Sequence, residues 1–359
     1  MKKPKVSIVI LNWNGREHLK KCLLSISKVS YSPIEIIVVD NGSLDGSGEM
    51  VKKDFPQVIL VLNNKNLGYS GGNNVGIKKS TGDYVFILNN DTEVTRDFLD
   101  PLVSAMERDA SLGCVQPKLL YASDRMLLNA VGSYFTSTGF LYHYGYRKKA
   151  DLKQYNVPLT IYSAKGAAML LRKSALKKVG LLDEDFFIFF EETDLCHRLW
   201  LAGYKIVYIP DSIIYHHEAV DTSKQMEDYT RNYLSFRNRI CSFIKNLEVI
   251  NMVKIFTFLF AIYLFLLIFY LINLRWYLVK AIAMGIIWNV INLSATLEKR
   301  HVIQKSVRRI SDNKLFEIIK KNPPFVYYYY LFTTLKNFKN ENFLLENTYP
   351  KVEEKFIPN

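Results

Sequence analysis

Short apolar runs alternate with helical patterns over the N-terminal third of the chain, and this rhythm limits the possible folds more than any other feature. Four strands are predicted, at Val6–Leu11, Ile34–Asp40, Val58–Leu62 and Tyr84–Leu88. Three helices are predicted between them, near Glu17–Ser27, Ser47–Asp54 and Ser70–Lys79. Such a βαβ alternation is typical of a mostly parallel sheet with helices on both faces. The sequence therefore predicts an α/β fold.

Polar residues that favour turns follow three of these four predicted strands. The segments are Asn12 to Gly15, Asp40 to Ser43, and Asn89 to Asp91. In open α/β sheets, ligands bind beyond the carboxyl ends of the strands. Asn, Asp and Gly also make ordinary turns, so one such segment would carry little meaning. Three of them at the same predicted edge indicate a binding site.

Asp91 and His216 are candidate metal ligands. Asp91 follows a predicted strand, and Asn89 beside it can supply a carbonyl oxygen or hold a metal-bound water. His216 ends the strand-like segment Ile213–Tyr215, and a neutral imidazole can complete a divalent site with a carboxylate. The alternatives are a simple turn at Asp91 and a structural role for His216.

A second carboxylate cluster contains Glu192 and Asp194 and follows the aromatic run Phe186–Phe190. Carboxylates beside apolar surface are candidates for a raised pKa, which suits a general base. The alternative is acidic charge in the first turn of a helix, with Asp194 and Arg198 forming an ordinary surface pair. The aromatic stretch Phe140–Tyr146 is likewise open to two interpretations, an acceptor groove or a β-hairpin with ordinary packing.

The C-terminal part is apolar, aromatic and basic. Ile255–Leu274 carries no charge, and as a helix it would span about 30 Å, the thickness of a hydrocarbon core. Trp276–Leu293 could form a return helix, although it contains Lys280. We predict a re-entrant or interfacial helical pair in region 250–296, with Trp276, Tyr277 and Trp288 at the level of the headgroups. The alternative is a buried helical hairpin in a soluble protein.

The distribution of charge also favours contact with a membrane surface. The net charge is +13, and the excess of basic side chains is concentrated after Arg275. A basic segment beside an apolar one favours anionic lipid, and no nucleic-acid-binding motif accompanies it. We therefore expect a membrane surface as a partner and no nucleic acid.

Five ordered segments resemble the inverting glycosyltransferase family 2, which has a GT-A fold, and within it the rhamnosyltransferase-like branch. The segments lie within residues 5 to 245 and read VSIVILNWNG, VVDNGSLDGS, NLGYSGGNNVGI, YVFILNNDTEV, and GAAMLL followed by GLLDEDFFIFFEETDLCHRLWLAGYKIVYIPDSIIYHH. The resemblance implies a nucleotide-binding sheet flanked by helices and a donor linked to UDP, dTDP or GDP. It implies donor contacts at Asn12, Asn14, Asp40, Asn41, Asn66, Gly71, Gly72, Asn73 and Asn90.

The resemblance also implies a mechanism. Asp91 matches the last position of the family's metal-binding DxD motif, with Asn89 at the first, and His216 matches the histidine that completes the site. The bound cation would be Mn²⁺ or Mg²⁺. Glu192 falls at the position of the catalytic base, which is usually Asp, so Asp194 stays a second candidate. The QxxRW motif of processive synthases is missing, because Ile272 stands three residues before Arg275-Trp276, so we expect non-processive transfer.

Three regions are therefore expected. Residues 1–230 form a GT-A catalytic domain, 231–300 a helical membrane-associated region, and 301–359 a basic and aromatic tail. The expected activity is metal-dependent transfer to a lipid-linked glycan acceptor at the cytoplasmic face of the cell membrane. The rival hypothesis is a non-catalytic nucleotide-sugar-binding or scaffold subunit of a glycan-assembly complex. It predicts loss of the metal and base carboxylates, which are retained here.

Overall fold

A computed structural model describes residues 3–218, 226–339 and 341–350. The parts of the predicted catalytic domain at 219–225 and of the predicted tail at 340 and 351–359 lie outside the described residues. The strands are β1 Val6–Asn12, β2 Ile34–Asp40, β3 Ile59–Leu62, β4 Tyr84–Asn89, β5 Thr92–Val94, β6 Leu112–Tyr121, β7 Leu128–Ala130, β8 Gly132–Tyr134, β9 Tyr142–Tyr144, β10 Leu159–Thr160, β11 Ala168–Arg172 and β12 Lys205–His216. The α-helices are α1 Arg16–Ile26, α2 Ser47–Asp54, α3 Gly68–Lys79, α4 Leu99–Arg108, α5 Lys173–Val179, α6 Glu191–Leu201, α7 Asp228–Asn246, α8 Val249–Ile272, α9 Trp276–Ile291, α10 Leu293–Val302, α11 Asp312–Ile319 and α12 Phe325–Phe332.

The four predicted N-terminal strands form one half of a mixed sheet with the order β10-β12-β6-β11-β4-β1-β2-β3. Pairing is parallel from β4 through β1 and β2 to β3, while β11 runs antiparallel to β4 and to β6. The prediction of a mixed α/β sheet with flanking helices is confirmed. The third helix begins at Gly68 rather than Ser70, since Asn66 Oδ1 accepts a hydrogen bond from the Gly68 amide at 2.8 Å.

Alternation along each strand divides the core into two layers. In β1, Val6, Ile8 and Ile10 face one layer and Val9 faces the other. Helices α1, α2 and α4 cover the first layer, and α3, α5 and α6 cover the second. Since both faces of the sheet are covered, its exposed functional edge is the one where the parallel strands end.

The C-terminal helices pack onto the second layer and share its core. Tyr263 of α8, Tyr327 of α12 and Phe338 are buried within the same apolar cluster as Val9. The Tyr327 hydroxyl donates to the Leu141 carbonyl at 2.9 Å. The expected hairpin at Phe140–Tyr146 is present, because β8 pairs antiparallel with β9.

Helix α8 is long and apolar enough to cross a membrane by length and composition. Its outer face is largely open, with Phe258, Leu264 and Phe265 each more than half exposed. Helices α9 and α10 meet at a bend of 65°. The predicted helical pair therefore exists as two helices, α8 and α9, joined by a short turn, and its relation to a membrane stays a prediction.

Candidate active site

A cavity of about 350 Å³ opens at the carboxyl ends of β1, β2 and β4, and we call it the strand-end cavity. Its lining residues come from the strand ends, α3, the loop before α6 and the start of α7. They are Leu11, Trp13, Asn41, Asn66, Gly68, Tyr69, Asn89, Asn90, Phe187, Ile188, Met226, Glu227 and Thr230. Four of the predicted site residues, Asn41, Asn66, Asn89 and Asn90, therefore share one cavity.

Hydrogen bonds among strand-end side chains fix the edge of the sheet beside this cavity. Asn12 and Asp40 are direct neighbours in the register of β1 and β2. Asn12 Nδ2 donates to Ser43 Oγ at 3.2 Å, and Asn12 Oδ1 accepts from Asn90 Nδ2 at 2.7 Å. Asp40 Oδ1 accepts from the Ser43 amide at 2.8 Å. These bonds hold the Asp40 carboxylate in one orientation.

The side-chain amides of Asn41 and Asn14 hold the loops beside the cavity. Asn41 Nδ2 donates to Asn66 Oδ1 at 2.8 Å and joins the loop after β2 to the loop before α3. Asn14 has a φ of 50°. Its side-chain Oδ1 accepts from the Leu44 amide at 2.8 Å. Asn14 and Asn41 thus order the two loops that flank the cavity.

Gly71, Gly72 and Asn73 lie in α3, in agreement with the helix predicted over Ser70–Lys79. A Cβ atom on Gly72 would lie 2.3 Å from Leu11 Cδ1, so this glycine lets α3 approach β1 closely. Asn73 Nδ2 donates to the Tyr69 carbonyl one turn earlier at 2.9 Å. The structure does not bring these three residues to the cavity wall, which Gly68 and Tyr69 of the same helix form instead.

Asp91 and His216 meet because β5 pairs antiparallel with the end of β12. Asp91 Oδ1 and His216 Nε2 are 3.3 Å apart, and both side chains are buried. Burial alone raises the pKa of Asp91, but the adjacent imidazoles of His216 and His18 outweigh it and lower the pKa below its ordinary value. The carboxylate is therefore ionised at neutral pH.

This pair fits a divalent cation. Asp91 Oδ1 and His216 Nε2 are both buried without an aligned hydrogen-bond partner, and they face each other. A carboxylate oxygen and an imidazole nitrogen are ligands that Mn²⁺ accepts readily. Across residues 3–218, 226–339 and 341–350, no cluster of three or more His, Cys, Asp or Glu side chains is placed to hold a metal. The protein would therefore supply two ligands of this kind, and diphosphate or water would supply the rest.

Asn129 and Lys165 continue the network away from this pair. Asn129 Oδ1 lies 2.9 Å from His216 Nδ1 and 2.8 Å from Lys165 Nζ. Lys165 Nζ also lies 3.2 Å from Glu218 Oε1. Neither Asn129 nor Lys165 was expected from the sequence, because each is a single polar residue in a segment without periodic signal.

Glu192 lines a second cavity of about 260 Å³, which we call the hairpin cavity. The cavity is also lined by Asn129, Lys165 and residues of the β8–β9 hairpin, among them Leu141 and His143. The deep position of Glu192 raises its pKa above the ordinary value, and Lys165 opposes that rise. The β8–β9 hairpin packs in the core and also lines this cavity, and an acceptor groove at Phe140–Tyr146 stays a prediction.

Tyr69 lies between the two cavities. Its ring lines the strand-end cavity, and its hydroxyl donates to the Gly166 carbonyl at 2.5 Å, next to Lys165 of the hairpin cavity. Burial raises the pKa of Tyr69, and the nearby Glu191 and Glu192 raise it further. The tyrosine is therefore neutral and close to both carboxylates. Tyr69 stands inside the segment NLGYSGGNNVGI, but only Asn66, Gly71, Gly72 and Asn73 of that segment were predicted to contact the donor.

Asp194 occupies a different environment from Glu192. It is fully buried, and its carboxylate contacts Arg198 Nε at 3.0 Å and Lys245 Nζ at 3.0 Å. Burial alone raises its pKa, but Lys245 and Arg198 lower it below the ordinary value. The expected Asp194–Arg198 pair is present but lies in the interior, not on the surface. A carboxylate enclosed by two cations is poorly placed to accept a proton from a ligand.

Asn238 of α7 holds the loop that precedes α6. Its Nδ2 donates to the carbonyls of Phe186, Ile188 and Phe189. Phe187, Phe189 and Phe190 have φ values of 62°, 72° and 72°, a region that costs non-glycine residues free energy. The bonds from Asn238 offset this cost and keep Phe187 and Ile188 in the wall of the strand-end cavity.

Comparison with known proteins agrees with this arrangement. Residues 7–180 match the model of the family described as Glycosyl transferase family 2. The chain is 27% identical over 242 residues to the N-acetylglucosaminyl-diphospho-decaprenol L-rhamnosyltransferase of Mycobacterium tuberculosis, covering 60% of this chain and 77% of the relative.

Two solved structures share the fold. GalNAc-T7 with UDP, GalNAc and Mn²⁺ superposes with a TM-score of 0.52 at 16% identity, over 67% of this chain and 48% of that one. The mannosyltransferase PcManGT from Pyrobaculum calidifontis, in complex with GDP-Man and Mn²⁺, gives 0.50 at 17% identity, over 94% of this chain and 85% of that one.

The mixed sheet with its strand-end cavity thus has the GT-A fold of nucleotide-sugar enzymes. Within that class, the chain contains a glycosyltransferase family 2 domain, which is matched over residues 7–180.

Proposed function

We propose that this enzyme moves one sugar at a time from a nucleoside-diphosphate sugar to a lipid-linked saccharide, with inversion at the anomeric carbon. The observation that carries the proposal is the network between the Asp91–His216 pair and the hairpin cavity. Asn129 contacts both His216 and Lys165, and Asn129, Lys165 and Glu192 all line that cavity. Two such groups are what a single displacement requires, a centre for the leaving diphosphate and a base for the acceptor hydroxyl.

The donor would lie in the strand-end cavity. Asp40 and Asn12, neighbours at the ends of β2 and β1, would read the nucleobase and ribose, while Asn41, Asn66 and Asn90 offer amides along the wall. A divalent cation between Asp91 and His216 would neutralise charge on the leaving diphosphate. The structures of GalNAc-T7 and PcManGT contain Mn²⁺ with UDP and GDP-Man, which supports Mn²⁺ here, with Mg²⁺ as the other candidate.

Glu192 would act as the general base. Its raised pKa makes it a better proton acceptor than an exposed glutamate, and it lines a cavity that an acceptor can enter. It takes the proton of the acceptor hydroxyl while the hydroxyl oxygen bonds to the anomeric carbon. The bond from that carbon to the diphosphate oxygen breaks, and its electrons leave with the diphosphate. We prefer Glu192 to Asp194, because two cations enclose Asp194.

The acceptor would be lipid-linked and approached from the cytoplasmic membrane face. The relative from Mycobacterium tuberculosis is named for a decaprenol-linked acceptor. The exposed apolar face of α8 and the basic C-terminal part suit an anionic membrane surface. Without a QxxRW motif, transfer would be non-processive.

The test is turnover of UDP-, dTDP- and GDP-sugars by the purified protein with Mn²⁺ or Mg²⁺, for wild type and Glu192→Gln. We expect one donor to be consumed in a metal-dependent way, with a loss of about 10²–10⁴-fold in the variant and unchanged donor binding. If the wild type binds a donor but never turns it over, the scaffold hypothesis is correct. If it binds no donor, both hypotheses are wrong.

A further inference from the structure

Arg239 of α7 is a buried cation without a counter-ion. Its side chain is 9% exposed. Among the described residues it forms no ion pair, and its Nε is buried without a hydrogen-bond partner. The guanidinium carbon lies 4.3 Å from the centre of the Phe140 ring and 5.4 Å from that of Phe190. Two aromatic faces offset part of the cost of burial, but they accept none of the N–H bonds.

The other buried cations of the same helix are paired. Arg237 donates to Asn238 Oδ1 at 2.8 Å and to the Asp185 carbonyl at 2.6 Å. Lys245 contacts Asp183 at 2.5 Å and Asp194 at 3.0 Å. Since an unpaired buried charge is strongly unfavourable, Arg239 stands out from its neighbours.

Tyr263 of α8 is a second unpaired donor at the same place. It is 1% exposed, and its hydroxyl is buried without a hydrogen-bond partner. The hydroxyl oxygen lies close enough to the Arg239 guanidinium to accept one of its N–H groups. The Nε–H of Arg239 and the O–H of Tyr263 still lack an acceptor, and two such donors form a site for the oxygens of an anion.

The position of this site suggests which anion it takes. Phe140 precedes Leu141 of the hairpin cavity, and Phe190 lies two residues before Glu192. His143 of the hairpin cavity is exposed, and Lys165 and Arg239 are both near enough to interact electrostatically with it, so both cations lie near that cavity. On the other side, Tyr263 belongs to the helix whose outer face exposes Leu264 and Phe265. The site therefore lies between the apolar helix and Glu192.

We propose that Arg239 and Tyr263 bind phosphate oxygens of a phosphorylated polyprenyl lipid that carries the acceptor sugar. This inference rests on the proposed function, because it assumes that an acceptor enters the hairpin cavity. The lipid tail would follow α8, the phosphate would meet Arg239, and the sugar would reach Glu192. The site would distinguish an acceptor on a phosphorylated lipid from the same sugar on a neutral carrier.

The test measures binding of farnesyl diphosphate and of farnesol to the full chain in neutral detergent micelles. We expect the wild type to bind the diphosphate on the order of tenfold more tightly or better. Arg239→Gln should lose this preference while its farnesol affinity stays unchanged, and Tyr263→Phe should reduce it. Lys254→Gln, an exposed lysine at the start of α8, is the matched control and should keep the preference.

Three further measurements make the result decisive. Arg239→Lys should restore part of the preference, which shows that loss in Arg239→Gln reflects the charge and not misfolding. Equal competition by phosphatidylglycerol would mean a general lipid-phosphate site and would overturn the acceptor assignment, as would a preference that survives in Arg239→Gln.

Nucleotide binding with Mn²⁺ separates the two proposals, since Arg239→Gln should bind nucleotide as the wild type does. If the wild type binds no nucleotide yet prefers the diphosphate, the proposed function fails alone.

Discussion

Lys165 has only hydrogen-bond donors on its ammonium group, and this determines how the neighbouring Asn129 amide is oriented. The atom that Lys165 contacts at 2.8 Å is the amide oxygen, which also lies 2.9 Å from His216 Nδ1. Because an amide oxygen can only accept, His216 Nδ1 carries a proton. In the neutral ring the lone pair is then on Nε2, which faces Asp91. At the scale of single residues, Asn129 thus orients a candidate metal ligand.

Replacing Asn129 by Leu should therefore weaken metal binding. The imidazole would lose the partner that fixes its tautomer, and changes of this kind in outer-shell residues typically cost about 10–100-fold in affinity. Titration of the protein with Mn²⁺ alone, followed by electron paramagnetic resonance, measures this directly. Asn129→Asp is the control, because it keeps an acceptor for His216 and Lys165. Unchanged Mn²⁺ affinity in Asn129→Leu would remove Asn129 from the site.

Four of the site residues predicted from the sequence share one property, which is position at a strand end or directly after it. Asn12, Asp40, Asn89 and Asp91 follow apolar runs whose alternation fixes where the strands stop. Asn129, Lys165 and Tyr69 have no such marker, because tertiary packing brings them to the site from three separate segments. Gly72 was expected as a donor contact from the family resemblance, and in the structure it permits close contact between α3 and β1.

At the scale of elements, α7 is joined to α6 by a buried ion network. Asp194 accepts from Ser242 Oγ at 3.0 Å and Asn246 Nδ2 at 2.8 Å, in addition to its contacts with Lys245 and Arg198. Lys299 extends the network to Asp183 and Asp185, each at 2.6 Å. The helix that holds the loop before Glu192 therefore depends on Asp194 for its attachment.

We expect Asp194→Asn to reduce the free energy of unfolding by about 3–5 kcal/mol, because it leaves Arg198 buried without its anion and Lys245 with Asp183 alone. Asp185→Asn is the control, since the Asp185 side chain is 49% exposed and its pair should contribute less than about 1 kcal/mol. Urea unfolding measures both. Equal effects of the two substitutions would show that burial of the network does not determine its strength.

The pH dependence of stability follows from the same group. The pKa of Asp194 is lowered in the folded state, so its contribution is present above the ordinary aspartate pKa. That contribution is lost as the pH falls toward the folded-state pKa. The unfolding free energy of Asp194→Asn should accordingly vary less with pH in the acidic range than that of the wild type.

Helices and strands with strong periodicity were predictable from the sequence. The elements against which they pack were not. The segment Ile255–Leu274 was recognisable as a helix from its length and lack of charge. Through Tyr263, this helix packs against Phe140 and Phe236. Phe140 lies more than a hundred positions before Tyr263 in the sequence, so no local pattern encodes their contact. The same holds for α12, whose Tyr327 contacts the β8–β9 hairpin.

At the scale of the whole molecule, the C-terminal part combines an exposed apolar helix face with an excess of basic side chains. Helix α8 exposes Leu264 by 60% and Phe265 by 65%, and the chain carries a net charge of +13. A surface of this composition binds anionic membranes through apolar burial and counter-charge together. The apolar face and the hairpin cavity are linked by the contact of Tyr263 with Phe140.

Replacing both Leu264 and Phe265 by Glu should therefore weaken binding to vesicles that contain phosphatidylglycerol. A carboxylate in the hydrocarbon region costs about 2.5–3.5 kcal/mol, so we expect a loss on the order of tenfold or more. Co-flotation with the vesicles is the measurement. Leu44→Glu is the control, because Leu44 is 95% exposed in the loop after β2. A double variant that floats as Leu44→Glu does would show that α8 does not enter the membrane.

The proposed mechanism requires a single displacement, with Glu192 opposite the leaving diphosphate. The most direct measurement is the anomeric configuration of the sugar released when the enzyme hydrolyses its donor with Mn²⁺, observed by proton NMR before mutarotation. We expect the first product to have the configuration opposite to that of the donor. Glu192→Gln should form it at a rate lower by about 10²–10⁴-fold. A first product that retains the donor configuration would contradict the mechanism and the role of Glu192.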